Sequence, residues 1–285
     1  MTGESARPIG VFDSGIGGLT VLRALIEELP HERFAYLGDT ARLPYGTKAA
    51  ETVVRYSVQA ADALMDYGVK CIVVACNTAC SVGLESIRER VRPLPVIGVI
   101  GPGADAACLT SRSGHIAVIA TERTVSGGAY QQAILERRPE ARVSVLAAQL
   151  LVALAEEGLS EGPIAESIAR HYLEGLFGAA DAHFKLEAGA AGTPVPDTLV
   201  LGCTHFPALI EPIRRAIGPR VTIVDSAATT ARALRRELGA RDLAAPGGAS
   251  SVRFVATDGV ERFARVGSRF LGRTIAPEEV ELIDL

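Results

Sequence analysis

Two cysteines stand where a thiol can do chemistry. Val73-Val-Ala-Cys76-Asn-Thr and Val200-Leu-Gly-Cys203-Thr-His each read as an apolar strand that ends in a small residue, a cysteine and two polar residues. A thiol at a strand-to-helix turn lies at the positive end of the following helix, which favours the thiolate relative to its ordinary pKa of about 8.5. The thiolate is a base or a nucleophile, and the thiol is a proton donor. Buried cysteine also packs as a small hydrophobe, and for either residue alone that account weighs about equally. The matched setting in two halves of the chain weighs against it for the pair.

In parallel α/β sheets, ligands bind beyond the carboxyl ends of the strands. The other strand ends are therefore candidate positions: Asp13-Ser14, Asp39-Thr40, Thr121 and Asp225-Ser226. Asp13-Ser14 has a plain competing role as a helix N-cap. The glycines that follow, Gly15-Ile-Gly17-Gly18, lack the G-x-G-x-x-G spacing, and no Gly-Lys-Ser/Thr phosphate loop is present. Their expected use is to let backbone amides approach a small carboxylate. His205, two residues after Cys203, is placed to polarise a substrate or tune the thiol, although a lone histidine is more often a bonded turn residue. His31, His115, His171 and His183 fall away from strand ends and read as structural or solvated, as do Cys71, Cys80 and Cys108.

The elements that must position these residues follow from periodicity. Apolar runs at Ile9–Phe12, Arg33–Leu37, Cys71–Ala75, Val96–Ile100, His115–Ala120, Arg142–Ala147, Thr198–Gly202, Val221–Val224 and Val252–Ala256 read as strands. Helical spacing occupies Leu19–Leu29, Ala49–Tyr67, Thr78–Val91, Ala129–Glu136, Pro163–Phe177 and Pro207–Ile217. The alternation predicts an α/β protein of two similar doubly wound domains with mainly parallel sheets. Residues 181–197 and 244–251, rich in small residues, read as surface connectors.

Composition narrows the function classes. The 285 residues suffice for one large or two medium domains, and a net charge of -4 gives no footprint for nucleic acid or an anionic membrane. Trp is absent and aromatic residues make up 5%, which argues against stacking on single strands. No apolar stretch approaches the roughly 18 residues of a membrane span, and no secretory signal opens the chain. A cytoplasmic location is expected. Five cysteines, an odd number without paired C-x-x-C knuckles, argue against a disulfide framework or structural zinc.

Four motifs in order, Asp13-Ser-Gly-Ile-Gly-Gly18, Asp39-Thr-Ala-Arg-Leu-Pro-Tyr-Gly46, Ala75-Cys-Asn-Thr-Ala79 and Leu201-Gly-Cys-Thr-His-Phe-Pro207, resemble those of the glutamate racemases in the aspartate/glutamate racemase superfamily. The resemblance spans nearly the whole chain. It implies one α/β domain from residues 1–100 with 212–285, a second from 101–211, and a site in the cleft between them. It implies that Cys76 and Cys203 are the two acid/base residues, Cys76 acting on the D-isomer with Asp13 as helper, and Cys203 on the L-isomer with His205 and Glu156. Asp13, Ser14, Pro44, Tyr45, Gly46, Asn77, Thr78, Thr121, Thr204 and His205 match substrate-binding positions. L- and D-glutamate are the implied substrate and product, serving peptidoglycan synthesis, with neither metal nor cofactor, and a homodimer is among the assemblies it admits.

The chain departs from that pattern in places. Cys80 stands for a more usual Ser, Phe206 for Tyr and Gly127 for Ser. Around Ala147-Ala-Gln-Leu-Leu-Val-Ala153 a Cys-Pro pair and a later Pro are missing. Aspartate racemases and other two-cysteine racemases are the nearest enzymatic alternatives. Related decarboxylases use only one such cysteine. A scaffold that binds or regulates without catalysis is the alternative from a different class.

Overall fold

The computed structural model describes residues 3–178 and 195–285, so most of the connector expected at 181–197, with His183, lies outside the described residues. The strands are β1 (Ile9–Asp13), β2 (Arg33–Gly38), β3 (Cys71–Val74), β4 (Val96–Gly98), β5 (His115–Ala120), β6 (Arg142–Ala147), β7 (Thr198–Gly202), β8 (Thr222–Asp225), β9 (Ser251–Ala256) and β10 (Val280–Leu282). Between them run α1 (Leu19–Glu28), α2 (Ala50–Asp66), α3 (Asn77–Arg90), α4 (Ile100–Thr110), α5 (Glu122–Ser126), α6 (Ala129–Arg137), α7 (Gln149–Glu157), α8 (Gly162–Phe177), α9 (Ile210–Ile217), α10 (Ser226–Ala240) and α11 (Val260–Leu271).

The strands form two sheets, ordered β10-β9-β2-β1-β3-β4 and β6-β5-β7-β8. Every pairing is parallel, with Ile9 opposite Phe34 and Cys71 in the first sheet and Ile116 opposite Thr198 in the second. Parallel strands covered by helices bury both faces, so they read as unbroken apolar runs. The core bears this out at Ile9, Val11 and Phe12, at Ile72, Val73 and Val74, and at Leu199, Val200 and Leu201. The expected α/β class with two parallel sheets is the observed one.

Two expected boundaries differ, and β10, α5, α7, α10 and α11 lie outside the expected elements. The strand expected to run to Ile100 stops at Gly98, because Ile100 opens α4, whose Gly, Pro and Ala content hides helical periodicity. A boundary at 211/212 would also place β8 in the first unit. Instead β8 pairs with β7, Thr198 opposite Thr222, because α9 carries the chain back alongside β7 as a parallel crossover. By sheet membership the chain returns to the first sheet only through α10, which packs on α1.

At the amino end of the first sheet, opposite the strand ends that carry the cysteines, sits a fully buried lysine. Lys70 Nζ donates to Glu32 Oε2 at 2.6 Å, to the Ser5 carbonyl at 2.8 Å and to the Leu243 carbonyl at 2.7 Å. Glu32 Oε1 accepts from the Ala245 amide at 2.7 Å. The pair ties the chain start and the 243–245 connector to β3. Lys70→Met leaves the Glu32 carboxylate buried without a cation, and should lower unfolding stability by about 3–5 kcal/mol. Urea denaturation measures this, and Lys70→Met with Glu32→Leu should cost less than Lys70→Met alone.

Candidate active site

The carboxyl ends of the two sheets line one cleft. The first sheet contributes Ser14 and Gly15 after β1, Leu43, Pro44, Tyr45 and Gly46 after β2, and Cys76, Asn77 and Thr78 after β3. The second contributes Thr121 after β5, Gln149, Val152 and Glu156 from α7, and Cys203, Thr204 and His205 after β7. The two units meet closely at two glycines. A Cβ on Gly17 would fall 2.5 Å from Thr204 Oγ1 and His205 Cε1, and one on Gly46 would fall 2.7 Å from Thr121 Cβ. Side chains at either position would hold the two units apart.

Cys76 is the N-cap of α3. Its sulfur accepts from the Ala79 amide at 3.4 Å, and its thiol donates to Ser14 Oγ at 3.3 Å. Burial, followed by the charge of Asp13, pushes the Cys76 thiol up to about 12, against the Ser14 hydroxyl and the Ala79 amide, which donate to the sulfur once it is ionised. At neutral pH Cys76 is therefore a thiol, able to donate a proton into the cleft.

Asp13 is fully buried and lies behind the lining residues. Its Oδ2 accepts from the Gly15 amide at 3.0 Å, and Oδ1 is buried with no partner. Burial raises its pKa, opposed by His205 and by the amides of Gly18 and Gly15. The glycine loop thus turns the amides of Gly15 and Gly18 toward Asp13. Gly18 also packs on this carboxylate, since a Cβ there would fall 2.5 Å from Asp13 Cβ.

Cys203 has a different neighbourhood. His205 Nδ1 lies 3.7 Å from Cys203 Sγ, and His205 Nε2 donates to Glu156 Oε1 at 3.1 Å. Burial works against a charged imidazole, but hydrogen bonds with Cys203 and Glu156 outweigh it and raise His205 to about 10. The same bond from His205 holds the Glu156 carboxyl below its ordinary range, against desolvation. Arg262 on α11 of the first unit reaches Glu156 Oε2 at 2.9 Å, which extends the chain of contacts across the cleft. Cys203 therefore faces an imidazolium, while Cys76 faces a buried carboxyl.

Neutral donors surround the space between them. Tyr130 Oη donates to Asn77 Oδ1 at 2.7 Å, which fixes the amide and leaves the buried Nδ2 as an unpartnered donor in the cleft wall. Thr78, Thr121 and Thr124 join hydroxyls at 3.0–3.2 Å, linking the units behind the cleft. Tyr45 is held by a short hydrogen bond to Asp39, which Arg42 Nε also meets at 2.7 Å. That network sets the lip formed by Pro44, Tyr45 and Gly46.

A family model described as Asp/Glu/Hydantoin racemase matches residues 9–234. The chain belongs to the Asp/Glu/hydantoin racemase family. It is 45% identical over 267 residues to the glutamate racemase of Geobacter metallireducens, covering 93% of each chain. Against the glutamate racemase of Neisseria meningitidis serogroup A the identity is 44% over 280 residues, covering 98% of this chain and 97% of the relative. The solved glutamate racemase of Francisella tularensis in complex with D-glutamate superposes with a TM-score of 0.87 at 33% identity, covering 98% of each chain.

Within this racemase-family cleft the structure gathers Ser14, Pro44, Tyr45, Gly46, Cys76, Asn77, Thr78, Thr121, Glu156, Cys203, Thr204 and His205 along one lining, with Asp13 behind it. Cys80 is set apart, its thiol donating to the Val74 carbonyl at 3.2 Å. Asp225 caps α10 through the Ala227 amide at 2.8 Å. Sequence reasoning did not single out Leu43, Val152 or Gln149 in the lining, nor Tyr130, Thr124 and Arg262 behind it. Of these, Leu43 stands inside the Asp39–Gly46 motif and Gln149 in the Ala147–Ala153 stretch noted above, while the others carried no local signal. Among the described residues no group of three or more His, Cys, Asp and Glu could hold a metal, and no helix is long and apolar enough to cross a membrane.

Proposed function

We propose that this protein interconverts L- and D-glutamate by moving the α-proton between two thiols. The observation that carries the reading is the pair itself. Cys76 and Cys203 end corresponding strands of two sheets, line one cleft and have unlike neighbours, a buried carboxyl at Cys76 and an imidazolium at Cys203. In the L-to-D direction the Cys203 thiolate, held by the His205 imidazolium, takes the α-proton. The Cys76 thiol then donates its proton to the opposite face of the carbanion. The cycle leaves Cys203 as thiol and Cys76 as thiolate, the form that runs the reverse direction, and Asp13 tunes Cys76 throughout.

The α-proton is weakly acidic, so negative charge moving onto the α-carboxylate must be stabilised. Asn77 Nδ2, the first turn of α3 and the hydroxyls of Thr78 and Thr204 supply neutral donors for it. Such preorganised donors contribute roughly 3–4 kcal/mol each in oxyanion sites. The chemistry of this donor set calls for no metal or cofactor. The cytoplasmic setting, a homodimeric assembly and a role in supplying D-glutamate for peptidoglycan rest on the family likeness alone.

The test is to incubate the protein with L-glutamate in deuterium oxide, following optical rotation by circular dichroism and the α-position by NMR. Racemisation with deuterium at the product α-carbon is expected. Loss of optical activity without solvent deuterium, or a larger rate on L-aspartate than on L-glutamate, would overturn the reading.

A further inference from the structure

Gln149 is a polar side chain in the cleft wall with nothing to bind. It is the first residue of α7, directly after the N-cap Ala148, and it lines the cleft with Val152 and Glu156 from the same helix. Its Oε1 is buried away from solvent and has no hydrogen-bond partner. Buried amides are satisfied in the great majority of native structures, so an orphan in a cleft wall marks a place where a ligand completes the bonding.

Its position in the sheet says which part of a substrate it meets. The second sheet runs β6-β5-β7, so Gln149, Thr121 and Cys203 follow one another across three adjacent strand ends. Neighbouring strands stand about 4.8 Å apart, so Gln149 begins about 10 Å from the cysteine strand. An α-carbon held between the thiols leaves a glutamate side chain three carbon–carbon bonds, of about 1.5 Å each, to run toward Thr121. The Gln149 side chain covers much of the remaining gap. None of the described residues lining the cleft is Lys or Arg, and the His205 imidazolium is engaged by Cys203 and Glu156, so an acidic side chain running toward β6 meets neutral donors.

We infer that the Gln149 carboxamide donates a hydrogen bond to the distal carboxylate of the substrate and so selects for an acidic side chain of glutamate's length. A rotation about its terminal bond presents the NH2 group to that carboxylate and turns Oε1 out of its dead end. Aspartate, one methylene shorter, falls short of this contact. The inference rests on the glutamate reading above.

The experiment compares Gln149→Leu and Gln149→Glu with wild type, using L-glutamate and the neutral near-isostere L-glutamine. Loss of one hydrogen bond to a charged group should raise KM for glutamate about tenfold in Gln149→Leu, with kcat falling far less. In Gln149→Glu the like charge should raise it further, to about 100-fold, with glutamine turnover affected much less. A KM for glutamate within twofold of wild type in both variants overturns the inference. So does a lower KM in Gln149→Glu, because a carboxylate there would strengthen contact with the substrate ammonium instead. Wild-type protein that racemises no glutamate would retire the activity reading itself, whereas active wild type with unaltered variants retires only the role of Gln149.

Discussion

Cys76→Ser and Cys203→Ser are each expected to lose about 10³-fold in glutamate racemisation, the scale of a lost general acid or base. A hydroxyl is far less acidic than a thiol, so serine neither holds negative charge between proton transfers nor yields a proton readily to a carbanion. Both changes preserve shape, and serine is a favourable N-cap, so Cys76→Ser should cap α3 at least as well as the native residue does. The loss is therefore chemical rather than structural, which an unchanged urea midpoint would document. The variants also separate the two faces of the substrate. With Cys203 replaced, Cys76 still takes and returns a proton on its own face, so D-glutamate should exchange its α-hydrogen with deuterium oxide without inverting. With Cys76 replaced, exchange should persist in L-glutamate only. Racemisation within tenfold of wild type in either variant would end the two-thiol account.

The strand ends that line the cleft were legible because parallel strands buried on both faces leave continuous apolar runs, and the residue after each run is confined to the ligand-binding edge. Cys76, Cys203, Thr121 and Asp13 were placed by that rule. What periodicity could not deliver was any relation between distant segments. Glu156 meets His205 across 49 positions of sequence, and Arg262 meets Glu156 across 106. Neither spacing carries a local signal, so Glu156 came from the family resemblance and Arg262 from the fold. Tyr130 shows the same limit, because a tyrosine in α6 gains its meaning only when the second unit presses it onto Asn77. The missed helix α4 has a different cause, since its Gly, Pro and Ala residues pack closely without an apolar stripe. Asp13 was found at its strand end, but its burial behind the lining follows from side-chain direction, which the pattern does not encode.

Removing the Glu156 carboxylate should move the alkaline limit of activity to lower pH. His205 is raised to about 10 by its bonds to Cys203 and Glu156, so in the wild-type protein it stays protonated through neutrality and loses its charge only as pH rises through that value. If the imidazolium is what holds the Cys203 thiolate ready, activity falls along the same limb. Glu156→Gln deletes one of the two supports while keeping the side-chain size, so the His205 pKa drops back toward its ordinary 6.5 and the limb shifts down by about one unit or more. Stability follows the same sign. A raised histidine pKa adds stability that is complete below the unfolded value and disappears as pH climbs through about 10, and Glu156→Gln should flatten that dependence. His205→Gln goes further and should cost about 10²-fold in kcat/KM. That loss must be equal in the two directions, because the enantiomers have the same free energy and the ratio of their kcat/KM values is fixed. The asymmetry must therefore appear in kcat and KM taken separately. A pH profile of Glu156→Gln that overlays the wild type would show that the His205–Glu156 bond positions the helix α7 without governing the proton on the imidazole.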